Sequence, residues 1–310
     1  MTGTGSRAPA VAALLLNALV WGTAWWPFRQ LQERGLHSLW ATVFVYLLAC
    51  AAITLARPRA WSALVRSPRL WGVALAAGIT NATFNWGVTI GEVVRVVLLF
   101  YLMPVWSALL ARAWLGERVD ARGWLRIAVA LLGALLILRP DAAAGGSAVG
   151  LADLLGLLGG MSFAANNVLL RRYAGEPAEA RAAAMFAGGA LLAASVALLA
   201  ATPLGAAAAV PLPLAVDGHV WLGAALLALW FLAGNLALQY GATRLAAQVT
   251  ALVMLSEVVF AAASAVLVGR ETLSLPTLWG GALILSAAAS AAWGRATAAP
   301  PTPERSPKHE

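Results

Sequence analysis

The sequence predicts an all-α integral membrane protein in which ten transmembrane helices form two inverted five-helix repeats. Three observations carry that prediction. Of 310 residues, 61% are apolar and only 11% charged, far from the balance of a soluble domain. The apolar residues gather in blocks of roughly 18 to 25, the length a helix needs to cross about 30 Å of hydrocarbon. The run from Asn81 to Glu117 also recurs without a gap from Asn235 to Glu271. Asn81 falls on Asn235, Asn85 on Gln239, Gly87 on Gly241 and Glu117 on Glu271, and a repeat of that length sets the architecture.

In chain order the blocks place spans at 9–27, 38–56, 69–90, 92–115, 122–139, 150–173, 181–202, 219–242, 245–268 and 276–293. Pro27, Pro140 and Pro276 stand at expected ends, since proline lacks the donor a helix interior needs. Pro104 lies inside the fourth span and should kink it or leave a carbonyl free. Residues 1–139 form the first repeat, 140–149 a glycine-rich linker, 150–293 the second repeat and 294–310 a polar, proline-rich tail expected to be disordered. Arg7 before an apolar run has the outline of a signal peptide, but Trp21, Trp25 and Trp26 stand where cleavage would need small residues, so a retained first span is expected.

The formal charge of +8 comes from short basic clusters between apolar blocks, which reads as membrane topology and not as a nucleic-acid surface. With the amino terminus inside, only Arg29, Arg34, Arg95, Arg139 and Arg270 fall outside. Both termini are therefore expected in the cytoplasm of a bacterial-type inner membrane. Five spans per half is an odd number, so the second half must enter upside down, a common build for secondary transporters with a midplane substrate site. Cys50 is the single cysteine, and His37, His219 and His309 fall in loops or the tail. No cofactor and no metal site are expected.

Polar residues inside spans are the candidate site, because those facing lipid are costly. Asn17, Trp21 and Trp25 form a stripe in the first span; Asn81 and Asn85, Ser162 and Asn166, and Asn235 and Gln239 repeat the same spacing in the third, sixth and eighth. They either line a cavity or join helices, the latter at roughly 0.6 to 2 kcal/mol each.

Glu257 lies midway along the ninth span, where an acid costs on the order of 2.5 to 3.5 kcal/mol. It needs a cation, a proton or a substrate amine; the alternative is a carboxyl that only locks helices together. Arg95 is its expected counterpart, unless it snorkels to the headgroups. Trp106 shares a face with Arg95. Tyr101 points away by more than about 90° and joins that face only if Pro104 rotates the helix. Glu117 and Glu271 lie just past spans four and nine and are expected to cap neighbouring helix ends. Gly156 and Gly160 read as close helix packing. There is no phosphate loop, nucleophile elbow or histidine metal motif.

Two five-helix halves, WGTAWW at Trp21 and the run from Tyr101 through Pro104 to Gly116 and Glu117 resemble the drug/metabolite transporter superfamily, EamA type. In the second half Glu257 and Glu271 match the family pattern, while Val258 replaces a proline and Arg270 a glycine. The resemblance implies a secondary transporter, not an enzyme, and YLMP at Tyr101–Pro104 is similar to the amino acid exporter branch.

The expected function is export of a small metabolite, an amino acid or related amphiphile, by alternating access. The cavity would be walled by spans one, three, four, six, eight and nine. Proton-coupled efflux of cationic drugs is the rival reading, and an intramembrane lipid enzyme a distant one. The expected partners are a small-molecule substrate and the lipid bilayer, with no nucleic acid and a monomer as the simplest assembly.

Overall fold

The computed structural model describes the backbone of residues 8–139, 149–202, 210–242, 244–245 and 247–294. The first half contains α1 (Ala8–Thr23), α2 (Trp25–Glu33), α3 (Ser38–Ala56), α4 (Arg59–Arg66), α5 (Leu70–Ile90), α6 (Val93–Phe100), α7 (Met103–Leu115) and α8 (Ala121–Ile137). The second contains α9 (Leu151–Arg172), α10 (Ala178–Ala200), α11 (Gly218–Ala242), α12 (Ala247–Met254), α13 (Ser256–Leu267) and α14 (Leu275–Gly294).

With α1–α2, α6–α7 and α12–α13 each taken as one broken crossing and the 8-residue α4 set aside, the described elements make ten crossings, five per half. Six of them, Ala8–Glu33, Ser38–Ala56, Val93–Leu115, Leu151–Arg172, Ala178–Ala200 and Gly218–Ala242, are long and apolar enough to span a membrane by length and composition alone. The others fall short for local reasons. α5 carries Thr80, Asn81, Thr83, Asn85 and Thr89, but most of its residues are buried in the bundle and need not meet lipid. α8 has 17 residues.

The repeat survives in space. α6 and α12 are both 8-residue helices, at Val93–Phe100 and Ala247–Met254, which are equivalent stretches of the repeat. α8 and α14 begin at the equivalent Ala121 and Leu275. α5 packs on α9 and α10, and its counterpart α11 packs on α1 and α3. α8 lies against α14 through Gly133 and Gly280, where a Cβ on either would come 2.5 Å from the other's carbonyl oxygen. The equivalents Glu271 and Glu117 sit at opposite ends of one crossing: Glu271 meets the first residue of α6, whereas Glu117 follows the last turn of α7. That is the inverted relation. Leu47, Leu75, Leu135, Leu191, Leu226 and Trp279 are exposed on the outside of the bundle, the apolar face that a bilayer requires.

Two expectations change. The first crossing does not end at Pro27; the helix breaks at Ala24 and Pro27 enters the first turn of α2, where an amide donor has no partner to lose. α4 replaces an expected loop. Its Ala60 and Leu64 are buried, and Arg59 and Arg66 stay at the surface. Pro140, most of the linker, residues 203–209 and the tail from 295 lie outside the described residues.

Candidate functional site

The site begins with two helix breaks at equivalent positions. In the first half Pro104 has no amide hydrogen, so the Phe100 carbonyl has no helical partner. The backbone tightens there, with Leu102 N–H donating to Leu99 O at 3.2 Å and Val105 N–H to Leu102 O at 2.9 Å. The freed carbonyl abuts Gly160 of α9, where a Cβ would stand only 2.4 Å from it. Gly156, one turn earlier, meets the Val96 carbonyl in the same way at 2.9 Å. The two glycines let α9 approach the broken helix closely, as their spacing suggests.

In the second half Val258 stands where the proline would be, yet the break remains. Val258 N–H donates to Leu255 O at 3.2 Å, so the Met254 carbonyl loses its usual helical donor. The Tyr101 hydroxyl lies 3.1 Å from that carbonyl and 3.1 Å from Oε2 of Glu257. Thus a side chain at the first break reaches the carbonyl and the acid at the second. One hydroxyl proton serves one acceptor at a time, so Tyr101 donates either to the carbonyl or to the carboxyl. Among the described residues Glu257 has no ion-pair partner.

A cavity of about 420 Å³ extends from Tyr101 along α7, α8 and α14 to a mouth carrying Glu117, Arg118, Asp120, Arg126 and Arg171. That volume suits a small metabolite. Its wall is mostly apolar, with Pro104, Val105, Ala108, Ile127, Ile284 and Ala287, and Ser107 adds a hydroxyl. The mouth ion pair Arg171–Glu117 is half exposed, with side-chain exposures of 57% and 48%.

At the other end of the bundle its repeat counterpart is closed in. Glu271 accepts the Val93 N–H at 3.0 Å and pairs with Arg29 at 3.2 Å. Arg29 also donates to the carbonyls of Thr89 and Gly91 and covers the Trp25 ring. Glu271 therefore caps the start of α6, as a carboxylate at a helix N-terminus should.

The remaining sequence candidates separate into different places. Arg95 does not face Glu257. It forms a two-point pair with Asp153 at 2.5 and 3.0 Å, and Asp153 also accepts the Gly150 N–H at the start of α9. The expected alignment of Arg95 with Trp106 assumed a straight helix, and the break at Tyr101–Leu102 ends that register. Trp106 packs against the core around Tyr101, and its indole N–H is buried without a partner.

Trp25 donates to Ser264 at 2.9 Å and Trp21 stacks on Phe231 with centroids 4.6 Å apart; both fasten helices. Asn81 accepts from the Tyr46 hydroxyl, Asn85 donates to Thr42 at 3.0 Å, and Asn235 bonds back to Phe231 O at 3.0 Å. Asn166 and Ser162 are buried on α9. The side chain of Gln239 lies outside the described residues. Among the described candidates Tyr101 borders the 420 Å³ cavity, which is lined by spans four, five and ten with Arg171 of span six.

The sequence reading passed over Asp153 and Arg126. An acid in the first turn of an apolar span was the available signal for Asp153. For Arg126 it was the spacing Gly123, Arg126, Ile127, Ala130, one face of a helix.

None of the curated proteins compared matches the sequence. A solved structure described only as "Crystal structure of protein" superposes with a TM-score of 0.56 at 20% identity, covering 94% of this chain and all of that one; this likeness concerns the fold. Residues 8–139, the whole first half of the bundle, match the EamA-like transporter family. With its apolar crossings and that match, the chain is a multi-pass membrane protein whose first half is similar to the EamA-like transporter family.

Proposed function

We propose that the protein is an inner-membrane secondary transporter that exports a small metabolite, an amino acid or related amphiphile, by alternating access. The observation that carries this reading is the junction of the two helix breaks, where Tyr101 of one half borders the cavity and holds Glu257 of the other half. Broken crossings at the meeting of inverted repeats are where such transporters bind solute. The unlike state of the ion pairs made by the two equivalent glutamates, Arg29–Glu271 enclosed and Arg171–Glu117 half exposed, supports alternating access with the cavity end open. The arginines at that end support placing it in the cytoplasm, together with both termini.

Residues 1–139 and 150–293 act as the two moving halves. Glu257 receives a substrate amine or a coupling proton. Because this carboxyl has no cationic partner among the described residues, proton-coupled efflux of organic cations is the second reading. The test is an uptake and efflux screen in proteoliposomes across amino acids, amines and nucleobases, with and without a pH gradient. Amino acid flux above protein-free vesicles is expected. Flux of quaternary ammonium compounds alone would favour the second reading, and no flux of any solute would refute both.

A further inference from the structure

We infer that the mouth of the cavity is an anion-receiving subsite in which Arg126, with Arg118 beside it, takes the carboxylate of an amphiphilic solute, so that acid-bearing solutes are preferred over plain amines. The inference deepens the transport reading above and rests on it.

Three arginines and two carboxylates line this mouth. Arg171 is paired with Glu117. Asp120 accepts the Gly123 N–H at 2.8 Å as the N-cap of α8. Arg118 and Arg126 keep no acidic partner among the described residues.

Arg126 is half-buried and lies on the face of α8 formed by Gly123, Ile127 and Ala130, all of which line the cavity. The opposite face carries the exposed Trp124, Leu125, Leu131 and Leu135, so Arg126 addresses the cavity and not the lipid. An arginine so placed offers a planar pair of donors to a carboxylate, and unbalanced positive charge at a low-dielectric mouth raises the local concentration of anions. From Ala111 to Tyr101 the helix rise gives about 15 Å of mostly apolar wall, room for a hydrophobic body between the charged mouth and Glu257.

The test compares wild type, Arg126→Gln and Arg126→Lys in proteoliposomes of phosphatidylcholine, using pairs that share a skeleton: L-phenylalanine with phenethylamine, and L-leucine with isopentylamine. Wild type is expected to move the amino acid of each pair at a lower half-saturating concentration than its amine. Arg126→Gln should raise that concentration at least tenfold for the amino acids and leave it unchanged for any amine carried. Arg126→Lys should restore most of the loss. Equal handling of acid and amine by wild type, or an equal shift of both in Arg126→Gln, would overturn the subsite and reduce Arg126 to a topological charge. A shift that appears only when phosphatidylglycerol is added would assign the arginine to a lipid phosphate and also overturn it. Flux of amines alone refutes the subsite and leaves transport standing; no flux of any member by wild type refutes both.

Discussion

The Tyr101 hydroxyl stands 3.1 Å from Oε2 of Glu257, a contact across 156 residues that ties the broken crossing of one half to that of the other. Glu257→Gln keeps the size and removes the charge, and is expected to lower transport by at least tenfold, about 1.4 kcal/mol of transition-state free energy. Tyr101→Phe should cost less, since Glu257 remains. Efflux at matched expression measures both. An unchanged rate and pH dependence in Glu257→Gln would remove this acid from the mechanism.

Glu271 and Glu117 are equivalent in the repeat but predict unequal effects. Glu271→Gln weakens both the Arg29 pair and the cap on α6, so the Arg29 end of the bundle should open more often. In a Cys50→Ala background, a cysteine at Thr89 is expected to react several-fold faster with a membrane-impermeant maleimide once Glu271 is changed. Glu117→Gln acts on an exposed pair, which contributes little, and should leave that labelling rate where it was. Equal rates in all three proteins would rule out a closing role for Glu271.

Asp153 is 5% exposed and balances Arg95. Asp153→Asn strands the arginine, a change that costs about 3 to 5 kcal/mol for a buried pair. The apparent melting temperature in detergent should fall. Arg95→Met combined with Asp153→Asn should recover part of the loss, because no uncompensated charge remains. A single variant as stable as wild type would show that the pair is dispensable.

The crossing of α5 with α10 depends on Gly188, where a Cβ would lie 1.9 Å from the Ala74 carbonyl oxygen. Gly188→Ala must push the helices apart and should lower thermal stability markedly. Gly72→Ala meets only a leucine methyl at 3.7 Å and gains up to about 1 kcal/mol of helix propensity. Thermal unfolding of the two variants side by side distinguishes close approach from a generic intolerance of α5.

His37 caps α3 by accepting the Leu39 N–H at 3.2 Å, and burial lowers its pKa from 6.5 to about 4. The unfolded chain therefore binds the proton first as pH falls. The stability contributed by neutral His37 is complete above pH 6.5 and is lost progressively as the pH drops toward 4. His37→Asn keeps a cap and removes the titration, so its melting temperature should vary less across that window. An identical pH profile would show that other groups govern it.

Much of the architecture was legible in the chain. The boundaries 38–56 of the second expected span coincide with α3, and the repeat placed α6 over α12 and Glu117 over Glu271. The glycines at 156 and 160 and the capping role of Glu271 also followed from local chemistry.

Hydropathy length and an internal repeat are one-dimensional signals, and a bilayer turns them directly into crossings and orientation. Only the packed structure decided which charges meet. A straight-helix wheel put Arg95 beside Trp106 and left Tyr101 aside, but the break at Tyr101–Leu102 resets the angular phase beyond it. Arg95 consequently reaches Asp153 at the start of α9, while Tyr101 reaches Glu257. The asparagine pairs were visible as polar stripes, yet Asn81 bonds to Tyr46 and Ala77, and Asn85 donates to Thr42 while its Oδ1 stays buried without a partner. Side-chain partners depend on the rotation and approach of neighbouring helices, and these are set by close contacts such as Gly160 on Phe100 and Gly22 on Glu257, which no single segment contains.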